Sequence, residues 1–575
     1  MGGAPLDVTT GADSAGVTLF VERARSVAQR FSLAGADDAA TVVDICRQLD
    51  GIPLAIELAA SRMASMTPGE VRDRLGQRFR LLVGSGRGLP RHQTLRHAVA
   101  WSYDYLDEAE KSLLERCSVF AGGFDLESAC AVAAFEDVDD YVVLDLLDAL
   151  VRKSLLVADR SSGRTRFSML ETIRQFAEEQ LIACGEAAAA RAAHARCFAG
   201  RERDIAALWN GPRQRQAYDW FAAELANLRA AFRWAVDQGD LDVGAPIAIL
   251  AAWLGFQTEN YEPIGWAEEL IEPARAVNHP RLAALYVMAS NCYMAGRVDP
   301  AIHYTEVAER AISVGSEHIP YGAEGYVGGA YVTVRQPDRW IRWLRSQLAR
   351  GPDDHAYITA NLLIALSATG AIDEAMAAAA GLIDAAEATG NPQVLSSALQ
   401  GYSLAVNETD PLGSLAAMRR ALVIAQDSGN RANQSHIATN LCRVEAEHGD
   451  PLAALDYFAM AIANYRDSGN TYMIGGPLAS LATFFDRLGR YESAATIAGF
   501  AVTSPIAELA LMTGFHAAIE HLRGVLGEVS YESLARTGAT LTTTAMATYA
   551  YDQIDQARTE LEQRAGPVGD TADRG

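Results

Sequence analysis

Apolar residues recur three and four positions apart near the start of the chain. The stretches Val17-Thr18-Leu19-Phe20-Val21-Glu22-Arg23-Ala24 and Ala40-Thr41-Val42-Val43-Asp44-Ile45-Cys46 carry this spacing, which predicts helices packed by one face. Two segments mark helix starts. In Thr67-Pro68-Gly69-Glu70 and Asp107-Glu108-Ala109-Glu110 a capping side chain stands three residues before a glutamate that can reach back to it. The second opens a helix running from Lys111 to Phe120. The longest apolar run, Val243 to Phe256, is interrupted by Gly244 and Pro246 and is too short to span a bilayer, so it predicts a buried helix. The period changes between Ser154 and Leu170. Ser154–Asp159 and Thr165–Leu170 flank the turn Ser161-Ser162-Gly163-Arg164 and read as a hairpin. Three or four helices followed by that hairpin, between Leu95 and Cys184, predict a winged helix.

Beyond Trp220 the chain repeats itself. Gly296, Gly370, Gly449 and Gly489 each precede an alanine by five residues, at Ala301, Ala375, Ala454 and Ala494. A degenerate copy runs from Asp410 to Leu415, so the period is about 40 residues. Second helices end at Gly390-Asn391, Gly429-Asn430 and Gly469-Asn470, as expected where glycine follows a helix end. Glycine permits the reversal and alanine lets two helix backbones approach. A single pair cannot bury its apolar face, so the pairs stack into a solenoid. Aligning the repeats on their glycines puts Tyr286, Tyr293, Gln400, Asn407, His436, Arg443 and Asp486 on the inner face of the first helices. That mixed polar and aromatic set suits a protein or peptide partner.

Composition narrows the function. The formal net charge of −23 repels nucleic acid and anionic membrane, so neither is an expected partner. The seven cysteines are scattered and never spaced as CxxC, which points to a reducing cytoplasm and away from disulfides or zinc. His516, Glu520 and His521 miss the zinc spacing HxxEH by one residue, and no metal site is expected. Gly84-Ser85-Gly86-Arg87-Gly88 lacks a following lysine and reads as a loop. Val142-Val143-Leu144-Asp145 imitates a metal-binding strand but continues at helical spacing. The arginines between Arg72 and Arg96, including Arg74, Arg78, Arg80, Arg87 and Arg91, read as a solvated face. The helix expected from Val142 to Leu155 would occupy the DNA-reading position of a winged helix. It carries Asp145 and Asp148 ahead of Arg152 and Lys153, a poor fit to phosphates.

Gly51-Ile52-Pro53-Leu54-Ala55-Ile56-Glu57-Leu58-Ala59-Ala60 resembles the GLPLAxELAA segment of STAND NTPases, the group of NB-ARC-type switches and LuxR/AfsR-like bacterial regulators fused to tetratricopeptide repeats. Further segments resemble that group in the same order: Arg91–Arg96, Trp101–Asp104, Ser118–Phe124, Met169–Ala177, and a set from Trp220 to Trp234. The resemblance implies an adenine contact at Pro53. It implies a phosphate-sensing segment at Met169-Leu170-Glu171, in which leucine and glutamate stand where the family has histidine and aspartate. It also implies transcriptional or signalling control. A phosphate-binding loop needs glycines followed by a lysine, yet the chain's two lysines, Lys111 and Lys153, lie in helical sequence. The expectation is therefore a non-enzymatic chain with no catalytic residues and no cofactor of its own. ATP or ADP would bind only with a partner supplying that loop.

The expected fold is mainly α. A flexible start at 1–16 precedes a helical ARC-like domain at 17–90, a winged helix at 91–185 and a helical linker at 186–280. A tetratricopeptide-like solenoid follows at 281–563, with a disordered tail at 564–575. The expected function is that of a regulatory protein whose solenoid senses a protein or small-molecule signal and passes it to an output partner. The alternatives are half of a split ATPase, a truncated relic, and a direct DNA binder.

Overall fold

The computed structural model describes residues 15–28, 31, 36–49, 51, 56–57, 59–60, 62–64, 66–75, 99–133, 139–161, 163–315, 317, 319–350, 355–470, 472–504 and 514–565. Pro53, Gly84–Gly88, and Arg78, Arg80, Arg87 and Arg91 lie outside them. The chain is mainly helical and falls into two compact units. One comprises residues 1–197 with 229–234, and the other 198–228 with 235–575.

The first unit begins with α1 (Ala15–Val27), α2 (Ala36–Gln48) and α3 (Pro68–Arg74). Their apolar faces close a core around Val17, Phe20, Val42, Ile45, Ile56 and Val71. Thr67 and Glu70 form the expected reciprocal cap at the start of α3. The winged helix follows: α4 (Glu108–Cys117), α5 (Leu126–Ala133), α6 (Asp140–Arg152), the strands β1 (Val157–Asp159) and β2 (Arg166–Ser168), and α7 (Glu171–Ala183). Asp107 and Glu110 cap α4 reciprocally, as the sequence predicts. The strands pair antiparallel, Ala158 opposite Phe167. Phe124 and Phe167 exchange both backbone hydrogen bonds at 2.8 Å, which ties the wing to the segment before α5. Residues 142–145 lie within α6, in agreement with the helical spacing read for Val142-Val143-Leu144-Asp145. The unit also contains most of α8 (Ala187–Gly200).

The second unit opens with α9 (Glu202–Trp209), α10 (Gln214–Gln238), α11 (Leu241–Gln257) and α12 (Glu262–Ala276). Arg229–Trp234 of α10 belong to the first unit. Helix α11 is buried on every side from Val243 to Gln257 except at Pro246, which is partly buried, as its run of apolar residues predicts. The solenoid continues through α13 (Leu282–Ala289), α14 (Val298–Val314), α15 (Gly329–Thr333), α16 (Pro337–Leu348), α17 (His355–Thr369), α18 (Ile372–Ala378), α19 (Leu382–Thr389), α20 (Pro392–Val406), α21 (Pro411–Ser428), α22 (Arg431–His448), α23 (Pro451–Asp467), α24 (Gly475–Arg487), α25 (Tyr491–Ala501), α26 (Phe515–Leu526), α27 (Glu528–Ala539) and α28 (Thr543–Ala565). Antiparallel partners such as α20 and α21, or α22 and α23, pack along their lengths, and the first helices of successive pairs lie side by side. Ala301, Ala375, Ala454 and Ala494 are all fully buried, which is where the repeat pattern needs a side chain without bulk.

One repeat departs from the pattern. Where a regular first helix should follow α14, the chain forms a short 3₁₀ segment, Pro320–Tyr326, with Tyr321 and Gly322 left-handed at φ 67° and 62°. The glycines of this segment and the next, Gly322, Gly325, Gly328 and Gly329, weaken a continuous helix.

Candidate functional site

Two surfaces carry residues that sequence reasoning singles out: the outward face of α6 and the inner face of the solenoid. On α6, Val143, Leu147 and Leu150 point into the winged-helix core. The remaining face presents Tyr141 at 73% exposure, Val142 at 48% and Leu144 at 38%, with the exposed carboxylates Asp145 and Asp148 among them. The two cations that close the helix are both engaged. Arg152 pairs with Asp148 one turn back. Lys153 Nζ lies 2.6 Å from the carboxylate of Glu110, the buried capping residue of α4, and so pins the end of α6 to that helix. Arg152 stays largely exposed in its surface pair, whereas Lys153 is turned toward α4. Arg160 and Arg164 stand on the wing turn, beside a groove that also contains Asp125, Glu127, Asp140 and Asp148. Arg166 donates to the backbone oxygen of Gly123 at 2.8 Å.

The Met169-Leu170-Glu171 segment lies between β2 and α7. Glu171 accepts two bonds from the fork of Arg174, at 2.7 and 2.8 Å. Arg174 also reaches Glu178, and Arg191 completes the chain to Glu178 at 2.8 Å. Hydrogen bonding to Glu171 raises the Arg174 pKa further. Leu170 is exposed and Met169 partly so. Pro53, the adenine contact implied by resemblance, falls outside the described residues.

The inner face of the solenoid differs from an open groove. Tyr286, Tyr293, Gln400 and Arg443 are only 4–8% exposed, so these four do not form an accessible partner surface. Asn407, His436 and Asp486 are partly buried. Burial pushes the His436 imidazole down to about 4, so it is neutral at physiological pH. The repeat asparagines also make a set of amide contacts that the repeat alignment could not reveal. Asn391, Asn430 and Asn470, each the residue after a left-handed glycine, cap the next segment through their side-chain oxygens. The same side chains then bond to helices far earlier in the sequence. Gln214 Nε2 donates to Asn391 Oδ1 at 3.1 Å. Asn430 Nδ2 reaches Tyr218 Oη at 3.1 Å and Gln257 Oε1 at 3.0 Å. Asn470 Nδ2 reaches Tyr261 Oη at 3.3 Å. Gln393 ties this row to Tyr326 and Tyr357, at 3.2 and 3.3 Å. These bonds tie the repeat asparagines to residues 173–212 positions earlier in the chain. Gly-Asn recurs as a visible dipeptide, but nothing local states what its amide will meet.

At the edge of this network Glu259 adopts φ 58° and is 5% exposed. Its Oε2 lies 3.2 Å from Arg431 Nε. Burial outweighs that pairing and raises the carboxyl to about 7.

Comparison with known proteins bears first on the class. Residues 106–182 match the family model of a winged helix-turn-helix domain, in agreement with the helices and hairpin described above. Among relatives, a Mycobacterium tuberculosis (H37Rv) protein provisionally named as an HTH-type transcriptional regulator is 43% identical over 269 residues, covering 45% of this chain and 29% of that protein. An uncharacterized protein of Mycobacterium bovis is 45% identical over 185 residues, covering 32% of this chain and 46% of its own length. The chain thus spans less than half the length of either relative. A STAND-type signal transduction ATPase with a tetratricopeptide repeat sensor from Pyrococcus horikoshii aligns over 89% of this chain and 74% of its own, at 14% identity and a TM-score of 0.37. No helix among the described residues is long and apolar enough to cross a membrane.

Proposed function

We propose that this chain is a non-enzymatic module of a transcriptional regulator, in which the solenoid senses a signal and the winged helix relays it through protein contacts. The observation that carries this reading is the composition of the exposed α6 face. Reading DNA requires donors directed at phosphates and base edges. Here that helix presents Tyr141, Val142, Leu144, Asp145 and Asp148, while Asp148 offsets the exposed Arg152 and the buried carboxylate of Glu110 holds Lys153. An exposed aromatic and aliphatic cluster ringed by charge suits a protein interface. The match to a winged helix-turn-helix family and the name of the mycobacterial relative support transcriptional control as the setting. The partner on this face is an output domain or a P-loop ATPase. The chain itself performs no catalysis and acts in the cytoplasm.

The test is a titration of labelled duplex DNA with the purified chain, read by fluorescence anisotropy over a salt series. The expected result is binding no tighter than the non-specific range of about 10⁻⁴ to 10⁻⁶ M. Nanomolar affinity for a particular duplex, falling steeply with salt, would overturn the reading in favour of direct DNA binding.

A further inference from the structure

The winged helix carries an open groove bounded by the start of α5, the outer face of α6 and the turn of the wing. This wing groove holds about 640 Å³, well inside the range of binding sites. On α6 its lining residues are Asp140, Leu144, Asp148 and Val151, spaced four, four and three apart, so one stripe of the helix faces it. The stripe runs about 16 Å at 1.5 Å per residue, or about three helical turns.

The groove is apolar along its floor, where Leu126, Leu144, Val151, Ala158 and Phe167 come from α5, α6 and both strands. Leu144 is 38% exposed there, although the core-facing Val143, Leu147 and Leu150 of the same helix are buried. The walls are charged unequally. Asp125 and Glu127 at the start of α5, with Asp140 and Asp148 on α6, set four carboxylates against the two guanidiniums of Arg160 and Arg164 on the wing turn. All of these except the half-buried Asp125 are exposed. Asp148 pairs with Arg152, but both members lie at the surface, where such a pair is worth little and can be exchanged for another. Along the stripe the order is acid, apolar, acid, apolar, so Leu144 and Val151 stand two turns apart and each follows a carboxylate. A helix laid along it would meet apolar positions two turns apart with cation positions between them. Its length and its spread of charge suit a peptide segment better than an enclosed small molecule, and the excess of carboxylates opposes a phosphate backbone.

We propose that the wing groove receives an amphipathic helix of a partner protein, with an apolar stripe on Leu144 and Val151 and a basic edge against Asp140 and Asp148. The arginines of the wing turn hold that basic edge on the α6 side. The proposal rests on the reading of α6 as a protein-contact face and names the chemistry of the partner that docks there. Complementary charge fixes the register of such a helix and excludes acidic ones.

The full chain would be titrated against three labelled peptides, read by fluorescence anisotropy, each about 18 residues long and so able to hold a helix. The first has leucines at helical spacing and arginines along one edge of them. The second carries glutamates in place of the arginines, and the third serines in place of the leucines. The expected result is saturable binding of the first peptide and binding weaker by roughly tenfold or more for each of the others. The double variant Asp140→Asn, Asp148→Asn changes two exposed side chains and should weaken the first peptide by roughly fivefold or more, with the circular dichroism unchanged. Asp552→Asn with Glu562→Gln removes the same charge from exposed positions of α28 and should leave the affinity unchanged. Equal affinity for the three peptides, equal effects of the two double variants, or no binding would each overturn the groove. Sedimentation of the chain alone tests a second copy as occupant: a dimer dispersed by the Asp140→Asn, Asp148→Asn variant would overturn the assignment to a partner protein. No DNA is present in these titrations. Their failure alone leaves α6 as a protein-contact face, whereas nanomolar affinity for duplex DNA would end both readings.

Discussion

The strongest structural prediction concerns Asn430→Ala. Asn430 is fully buried and does two things: its oxygen caps α22 through the amide of Asn433 at 2.9 Å, and its amide group bonds Tyr218, Gln257 and Gln393. Losing the cap costs about 1 kcal/mol. Gln257 Oε1 and Gln393 Oε1 would each lose a donor, and a buried acceptor left unsatisfied costs about 1–3 kcal/mol. Repacking and water entry offset part of this, so the expected loss is about 3–5 kcal/mol. The distribution of the loss is more telling than its size. Amide hydrogen exchange of wild type and variant, followed by mass spectrometry, should show faster exchange in α22 and also in α11, more than 170 residues earlier. Because exchange from native protein reports local opening, α11 protection should fall by roughly 100-fold or more. A loss under about 1.5 kcal/mol, or faster exchange confined to the first turn of α22, would refute the claim that the amide row ties α22 to α11.

Other outcomes follow from single side chains. Ala454→Leu forces bulk into the contact between paired helices and should destabilise the second unit by about 1–3 kcal/mol, read from its denaturant midpoint. Glu259 has a carboxyl raised to about 7 in the folded chain against 4.5 as its ordinary value. Folded protein therefore holds this proton more tightly than unfolded chain. Stability should decline as pH rises from about 4.5 and level off above about 7, by on the order of 3 kcal/mol. Urea midpoints at pH 5 and pH 8 measure this, and Glu259→Gln should remove most of the difference. Asp107→Ala removes the reciprocal cap of α4 and should cost the winged helix about 1 kcal/mol, read from its thermal transition.

The parts of the fold that were legible in the sequence depend on local physics. Thr67 with Glu70 and Asp107 with Glu110 form caps because the spacing that announces them is also the spacing that satisfies the helix end. The hairpin around Gly163 and the burial of α11 follow equally from neighbouring residues. The alanines five residues after the repeat glycines are buried because the repeat itself creates their contact. The occupancy of the groove was not legible. Alignment gives the phase of each first helix, which placed Tyr286, Tyr293, Gln400 and Arg443 inward, but not what lies opposite them. Nor does it give the partners of the repeat asparagines, Gln214, Tyr218, Gln257 and Tyr261, which lie 173–212 residues away in sequence. The broken repeat at Tyr321 and Gly322 was missed for a related reason. Its left-handed residues are held by tertiary packing, with Tyr321 stacked on Trp253 at 5.8 Å. At the winged helix, the acidic character of α6 was legible, while the capture of Lys153 by Glu110 joins residues 43 apart in sequence.

The central claim is that the chain controls transcription through protein contacts on α6. It is tested most directly by transcript profiling of a deletion strain complemented with wild type or with the Tyr141→Asp, Leu144→Asp double variant. Both positions are solvent-exposed, so the variant should fold and accumulate as wild type does. The account predicts that the double variant reproduces the transcript profile of the deletion. Restoration of the wild-type profile by that variant would contradict it.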